Sequence, residues 1–466
     1  MIQPKSNAIG FTDMILAEPL GLETLAAGIE DHDVKIVDLR LKKGIESELL
    51  LLKPEICGIN LSYTIDHNQV TELAKKIKKF SPETFVVVGG QHASLNVHSL
   101  SPKYIDAIVI GEGEKTLVEL VEALLGQRDL EGVKGLAIKK DGKFFLTQTR
   151  EPEGQMDTLP LPKRDLLERN YYHLGFQKPL ALVETSRGCV HQCSFCCVWQ
   201  FYGKKVRSKS PERVIEELEK VKEPYVLFVD DNFLMDTIRA EKIALMIRES
   251  RIKKKYTFQA RSDTISKHAD LLKLWKEVGL KGVFIGFEKI DDEELDVLNK
   301  KTKVRFNDLA LSILKDLKIE VWASFIVDPS YGREDFKRIC DYVISRGIKT
   351  PTFSVLTPLP GTKLYEELKE KIISFDFDLF DIAHSVLPTR LPLEEFYKEF
   401  CGLYRLPYSS LKLVWEGICA YITRDFKLSQ LMKMLYSAKK LSDYRYYMEG
   451  HKSMEKKLSP LFFYEF

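Results

Sequence analysis

Three cysteines, Cys189, Cys193 and Cys196, lie in the stretch Glu184-Thr-Ser-Arg-Gly-Cys-Val-His-Gln-Cys-Ser-Phe-Cys-Cys-Val-Trp199. The spacing C-x3-C-x2-C supplies three thiolates, one fewer than a closed four-iron cluster takes. Three ligands leave one iron open, and an open iron can bind a substrate or cofactor. Phe195, just before the third cysteine, can shield such a cluster from water. Structural zinc is the rival use, but zinc usually takes four ligands and no second cysteine pair follows. His191 could be a fourth ligand, though inside the loop its chelation would be strained. Cys197 adjoins the third thiolate, as an inert neighbour or as a substitute ligand.

A chain of 466 residues is long enough for two or three domains. Hydrophobic residues at 44% and charged residues at 30% are those of a soluble globular protein. The net charge of +2 gives no steering toward nucleic acid, and none is expected as a partner. No 18-residue apolar run reads as a membrane span, and the N-terminus lacks a signal peptide's regions. Eight cysteines, four of them clustered, are too few for a disulfide scaffold, so a reducing cytoplasm is expected. Cys57, Cys340, Cys401 and Cys419 read as buried small hydrophobes.

In the first third, short apolar runs alternate with amphipathic helical patterns. Val34–Leu39, Ile56–Ser62, Phe85–Gly89 and Ala107–Gly111 read as strands, with helices at about His67–Phe80 and from Lys115. Such alternation predicts an α/β, doubly wound parallel sheet, whose ligands bind at the carboxyl ends of the strands. Those ends carry Ser62, Gly89, Gly90, Gln91, His92, Gly111 and Glu112. A plain Rossmann nucleotide site is the rival, but neither G-x-G-x-x-G nor a P-loop is present. Leu136–Leu146 reads as a hairpin turning at Asp141-Gly142, and Leu159-Pro-Leu-Pro-Lys163 as a linker.

Further along, strand and helix alternate six times. The strands are Ala181–Thr185, Tyr225–Val229, Tyr256–Ala260, Gly282–Gly286, Glu320–Val327 and Thr352–Thr357. The first helix starts at Ser210, an N-cap, with Pro211 at its first position. Polar groups follow the strand ends: Asp230-Asp231-Asn232, Arg261-Ser-Asp263, Gly286-Phe-Glu288 and Thr357–Thr362. Each has a bland reading too: acidic pairs cap the next helix, Glu288 sits at the rim, and Gly361 and Thr362 shape a turn.

The cysteine loop and the six-unit pattern resemble the radical S-adenosylmethionine (SAM) enzymes. With the N-terminal sheet, over roughly residues 10–125, the chain is similar to the cobalamin (B12)-dependent members of that family. Leu356–Thr362, Asp376–Phe380 and Ile382–Tyr397 look like the hopanoid C-3 methylase group and close relatives. The resemblance implies a Rossmann-like cobalamin domain at 1–128 and a hairpin and linker at 129–175. It implies a partial (β/α)6 barrel at 176–375 and a mainly helical substrate-side segment at 376–466. It also implies a 4Fe-4S cluster, SAM and cobalamin as cofactors, and an electron donor of flavodoxin or ferredoxin type. By the same likeness Asp231 lies near the SAM amine, Arg261 near its carboxylate and Glu288 near its ribose.

The motif D-x-H-x-x-G, which places histidine on cobalt elsewhere, is missing, and Asp31-His32-Asp33 does not fit it. The resemblance therefore implies base-off cobalamin without histidine ligation; His92 is the rival ligand candidate, read here as a polar turn residue at the corrin edge. The family's first strand should already be ending at Met1–Lys5, so either the start lies upstream or the sheet has lost a strand.

The implied reaction uses one SAM to methylate reduced cobalamin and a second, cleaved at the cluster, to make a 5'-deoxyadenosyl radical. The radical removes hydrogen from an unactivated carbon, which then takes the methyl group. By resemblance the substrate is a polycyclic or isoprenoid lipid. A cyclase or oxidase with the same cofactors, and a cobalamin sensor or carrier with a structural cluster, remain alternatives. A methylthiotransferase would need further cluster cysteines, and only Cys57 stands in the first 188 residues. His384 and Arg390 could line a substrate pocket or serve as capping and ion-pair residues. Residues 401–466 hold 11 Lys plus Arg against 6 Asp plus Glu and 13 aromatics. That basic, aromatic stretch suits either a helical domain with its aromatics inside or a peripheral membrane contact.

Overall fold

The alternating pattern forms two separate parallel sheets in a computed structural model that describes residues 1–6, 14–42, 44–405, 418–419, 421–422 and 428–458. Parts of the basic C-terminal stretch lie outside the described residues. In chain order the first strands are β1 (Ile2–Gln3), β2 (Ile15–Leu16), β3 (Val37–Asp38), β4 (Ile56–Asn60), β5 (Phe85–Gly89), β6 (Ala107–Val109), β7 (Leu136–Lys140) and β8 (Lys143–Leu146). They are followed by β9 (His173–Leu174), β10 (Leu180–Val183), β11 (Ser186–Arg187), β12 (Arg207–Ser208) and β13 (Tyr225–Phe228). The last four are β14 (Lys255–Gln259), β15 (Leu280–Glu288), β16 (Glu320–Val327) and β17 (Thr350–Val355).

The first sheet has the order β3-β1-β4-β5-β6-β7-β8. It is parallel through β6 and antiparallel beyond. The helix His67–Phe80 has the predicted bounds. It buries Val70, Leu73, Ala74 and Ile77, the i, i+3, i+4, i+7 stripe of an amphipathic helix. Two expectations change here. The family's first strand is not lost: Ile2 pairs with both Val37 and Ile59, so a two-residue β1 lies inside the sheet. The hairpin is not part of a joint, because β7 pairs with β6 and extends this sheet. Its turn matches expectation, with Asp141 at φ 51° and Gly142 at φ 75°, the left-handed pair a two-residue hairpin needs.

The second sheet runs β10-β13-β14-β15-β16-β17, all parallel and in sequence order. This is the expected six-stranded partial barrel. Alternate residues of each strand, among them Phe228, Phe258, Ile285, Phe325 and Phe353, pack outward with Trp275 against the helices. The other set, including Gln259, Phe284, Trp322, Ser324, Thr352 and Ser354, faces the interior and stays only partly buried. Ser210 caps its helix as expected, its hydroxyl accepting from the Arg213 N–H at 3.1 Å. Of the four isolated cysteines Cys57 and Cys401 are buried, while Cys340 and Cys419 are only partly so.

Three contacts bring the carboxyl edges of the two sheets face to face. Gly361, after β17, packs on Leu95 of the first domain so tightly that a Cβ would come within 2.8 Å of its side chain. Asn68 donates to Asp376 at 2.9 Å. Arg187 pairs with Glu112 at 3.1 Å and Glu114 at 2.6 Å of the first domain, and with Glu184 at 2.8 Å of the barrel. Arg207 also pairs with Glu112. Glu112 is therefore an anchor of the interdomain seam. Burial alone would raise its carboxyl; the hydrogen bonds and charges of Arg207 and Arg187 hold it below the ordinary value.

Removing Arg187 would leave Glu114 and Glu184 without its charge, and Glu112 with Arg207 alone, in a poorly hydrated seam. Arg187→Ala should lower stability by about 3–5 kcal/mol, read by chemical denaturation. A loss under about 1 kcal/mol would mean that the seam behaves like a solvated surface pair.

Candidate functional site

The cysteine loop leaves the barrel through β11 and returns through β12, which pairs with it antiparallel. Its origin is fixed by Asp230, fully buried after β13. The carboxylate accepts from the backbone N–H and hydroxyl groups of both Thr185 and Ser186. Asp230 is thus structural, the capping-like role an acidic residue after a strand can take. Gly188 comes next, at φ 94°, with its Cα against the Lys205 carbonyl. A Cβ there would lie 2.0 Å from that oxygen, so only glycine fits.

Neighbouring elements clamp the loop. Ser194 N–H donates to Leu298 O at 3.0 Å, and Leu364 N–H donates to Ser194 O at 2.8 Å. Trp199 donates its indole N–H to Cys193 O at 3.0 Å. Cys193 is 7% exposed and its two companions are half-buried. Burial pushes the Cys196 thiol up to about 12. It also raises Cys189, with Cys193 and Asp231 adding and Arg261 offsetting. Among the described residues no three His, Cys, Asp or Glu side chains converge on one metal-ion position. Zinc takes four ligands on one ion at about 2–2.3 Å, and the loop offers three thiols. A donor set of three desolvated thiols on one clamped loop fits a larger cluster. Phe195 packs among Leu298, Ile326, Leu356 and Leu364, an apolar wall on the barrel side.

The predicted SAM residues gather around this loop, although each has a partner already. Asp231 accepts from Gly188 N–H at 2.9 Å. Burial pushes its carboxyl up to about 6, that hydrogen bond offsetting. Arg261 does not present a free fork: two guanidinium nitrogens engage Asp263 at 2.9 and 3.1 Å. Its Nη2 also donates to Lys300 O at 2.9 Å. Glu288 is not a solvated rim residue. It is buried, stands at φ 63°, and pairs with Lys300 at 2.7 Å. Gly286 makes room for that carboxylate, since a Cβ there would meet Glu288 Oε1 at 2.1 Å.

Asn232 escaped the sequence reading of the site. It is 3% exposed, directly after Asp231, and neither its amide nitrogen nor its oxygen has a partner. A buried amide with both ends unpaired can take an ordered water or a polar ligand. The Asp-Asp-Asn run after a strand was the available signal. Thr362 behaves as the turn residue expected of it, capping the helix Lys363–Leu368.

At the first sheet's carboxyl edge, Ser62, Gly89, Gly90, Gln91 and Gly111 are half-exposed. Ser62 bonds to Asn60 at 2.7 Å. Gly111 stands at φ 79° with open space where a Cβ would be, a flat approach suited to a broad ligand. His92 is not a turn residue at a ligand's edge. It is 3% exposed, in the short helix Gln91–Leu95, with Nδ1 near Thr64 Oγ1 at 3.0 Å and Nε2 near His67 Nδ1 at 3.2 Å. Near the C-terminus, His384 is buried and paired with Asp381 at 2.9 Å, and Arg390 is exposed beside Gly332.

The chain is similar to known proteins in sequence and in fold. Residues 183–343 match the Radical SAM superfamily and residues 15–121 the B12 binding domain. The chain is 35% identical over 401 residues to the hopanoid C-3 methylase of Methylococcus capsulatus, covering 84% of this chain and 76% of that protein. It is 28% identical over 363 residues to the anaerobic magnesium-protoporphyrin IX monomethyl ester cyclase of Rubrivivax gelatinosus, covering 74% and 63% respectively. Its fold is similar to that of the radical SAM methyltransferase TsrM from Kitasatospora setae, with TM-score 0.66 and 19% identity, covering 80% and 76% of the two chains.

Gly188→Ala should cut the iron and sulfide retained per chain by more than half after anaerobic reconstitution. Gly21→Ala, in open space, should leave loading unchanged. Full loading of the Gly188 variant would show that the close approach to Lys205 does not hold the loop.

Proposed function

Because the chain belongs to the cobalamin-dependent radical SAM methyltransferases, we propose that it methylates an unactivated carbon of a polycyclic isoprenoid lipid. The observation carrying the substrate class is the 35% identity to a hopanoid methylase across most of both chains. Bound together, a 4Fe-4S cluster and SAM supply a hydrogen-abstracting radical, and cobalamin supplies the methyl group.

The chain's own residues would then divide the work of holding and positioning. Cys189, Cys193 and Cys196 would hold the cluster through their three thiolates. Asp231 and Asn232 offer an acceptor and an open amide to the polar amino-acid end. Lys300 holds Glu288 toward the ribose. Arg261 acts one step back: its bonds to Asp263 and to the Lys300 carbonyl set where that lysine stands. No side chain needs to move a proton for the hydrogen abstraction. The carboxyl edge of the first sheet, at Gly89-Gly90 and Gly111, would hold cobalamin, and an external reductant of ferredoxin or flavodoxin type would supply electrons.

Among the described residues no helix is long and apolar enough to cross a membrane. A lipid substrate must still be reached. Leu428, Met432, Leu435 and Tyr436 form an exposed stripe on the helix Leu428–Leu441, near Lys439 and Lys440. Apolar groups flanked by lysines suit an anionic bilayer surface.

The test is turnover on a pentacyclic triterpenoid carried in anionic liposomes, with product mass read out. A gain of one methylene group is expected, and Leu435→Glu should weaken liposome co-sedimentation several-fold. Loss of two hydrogens would instead favour ring closure, as the likeness to the cyclase allows. SAM cleavage with an unaltered lipid would exclude the substrate class.

A further inference from the structure

Glu288 holds a backbone conformation that few side chains adopt. Its φ is 63°, and the Lys289 N–H donates to Phe287 O at 2.8 Å. That bond closes a three-residue γ-turn centred on Glu288, and the positive φ makes it the strained form. The strand ladder breaks at the same point. Gly286 pairs with Ser324 and Glu288 with Phe325, so β15 carries one extra residue there. A bulge of this kind re-aims a side chain. Such strain persists only where the surroundings fix it from several sides.

Two lysines supply the fixing. On the barrel's inner side Lys300 pairs with the Glu288 carboxylate at 2.7 Å, beside Gly286. On the outer side stands Lys289, only 4% exposed. A lysine is rarely buried so far unless its charge is matched. Its ammonium donates to Tyr331 Oη at 2.9 Å and lies 4.6 Å from the centre of that ring. Glu294, on the helix Asp292–Val297, is 3.7 Å from the ammonium and accepts from the Tyr331 hydroxyl. Tyr331 is itself fixed, packing edge-on against Phe336 in the core between strands and helices. The turn is therefore gripped from both faces.

We propose that Lys289 is a positioning residue for SAM: tied to Tyr331 and Glu294, it keeps the Glu288 turn left-handed and so fixes the carboxylate that would accept from the ribose hydroxyls. The proposal rests on the reading of Glu288 as the ribose partner. Lys289 itself touches no ligand. It acts through the peptide unit it shares with Glu288, which is rigid and planar. With Lys289 pinned on the outer side, Glu288 has little freedom to turn on the inner one.

Equilibrium binding to the reconstituted full chain tests this, with SAM and with its analogue lacking both ribose hydroxyls as the two probes. Lys289→Met keeps the buried stem and removes the charge. It should weaken SAM about tenfold and leave the analogue unchanged, the same selective loss as Glu288→Gln. The double variant should lose no more than either single one, because both act through one contact. Tyr331→Phe keeps the ring and should show a smaller loss of the same selective kind; it carries the test if Lys289→Met does not fold. Losses that add in the double variant, or that fall equally on SAM and the analogue, would overturn the proposal and leave Lys289 a packing residue. So would full SAM affinity in folded Lys289→Met or in Tyr331→Phe. Full SAM affinity in Glu288→Gln would instead overturn the ribose reading, an outcome distinct from the others.

Discussion

The working parts depend on one guanidinium. Arg187 lies two residues before the first cluster cysteine, and it pairs with carboxylates from both halves of the molecule. That side chain therefore helps set the distance between the cysteine loop and the first sheet's carboxyl edge. Arg207, on the returning strand of the same loop, doubles the attachment at Glu112. A second seam lies lower, where Arg169 joins Glu23 at 2.7 Å to Glu223 at 2.5 Å. Buried ion pairs of this sort add little to stability over apolar packing. What they provide is a fixed register, and a substrate that would give up hydrogen beside one cofactor and take a methyl group from the other needs that register.

Within the barrel the same logic repeats at shorter range. Asp230 ties β13 to the start of the cysteine loop, and Asp231 ties the next residue of β13's extension to Gly188. Lys300 links Glu288 on β15 to the segment that Arg261 grips through its carbonyl. Each expected ligand-binding residue is thus also a strut. Asn232 is the exception, with a buried amide that the protein leaves open. A site built this way is preorganised: its polar groups are oriented before the ligand arrives, and few rotamers remain to be frozen.

Much of the architecture was legible in the sequence because period and punctuation are local. The helix His67–Phe80, the strand Glu320–Val327 and the Asp141-Gly142 turn follow from neighbours a few residues apart. The cysteine spacing is local too. Strands as short as Ile2–Gln3 carry no period, so their place in the sheet was hidden. Partners distant in sequence were hidden for another reason. Nothing near Glu112 announces that Arg187 and Arg207 will claim it, and nothing near His92 announces His67 and Phe377. The left-handed Glu288 was likewise unreadable, since its cost is met by the Lys300 pair twelve residues on and by the missing Cβ of Gly286. Sequence patterns place a polar residue at a strand end; only packing decides whether it faces a ligand or a neighbour.

The central claim is that one chain runs two uses of SAM across the seam between its sheets. The direct measurement is SAM turnover by anaerobically purified, cluster-replete protein with cobalamin and a reductant, quantifying 5'-deoxyadenosine and S-adenosylhomocysteine in the same reaction. Both products should form, and Cys193→Ala should abolish the deoxyadenosine. Cluster-replete wild-type protein that yields neither product would contradict the account.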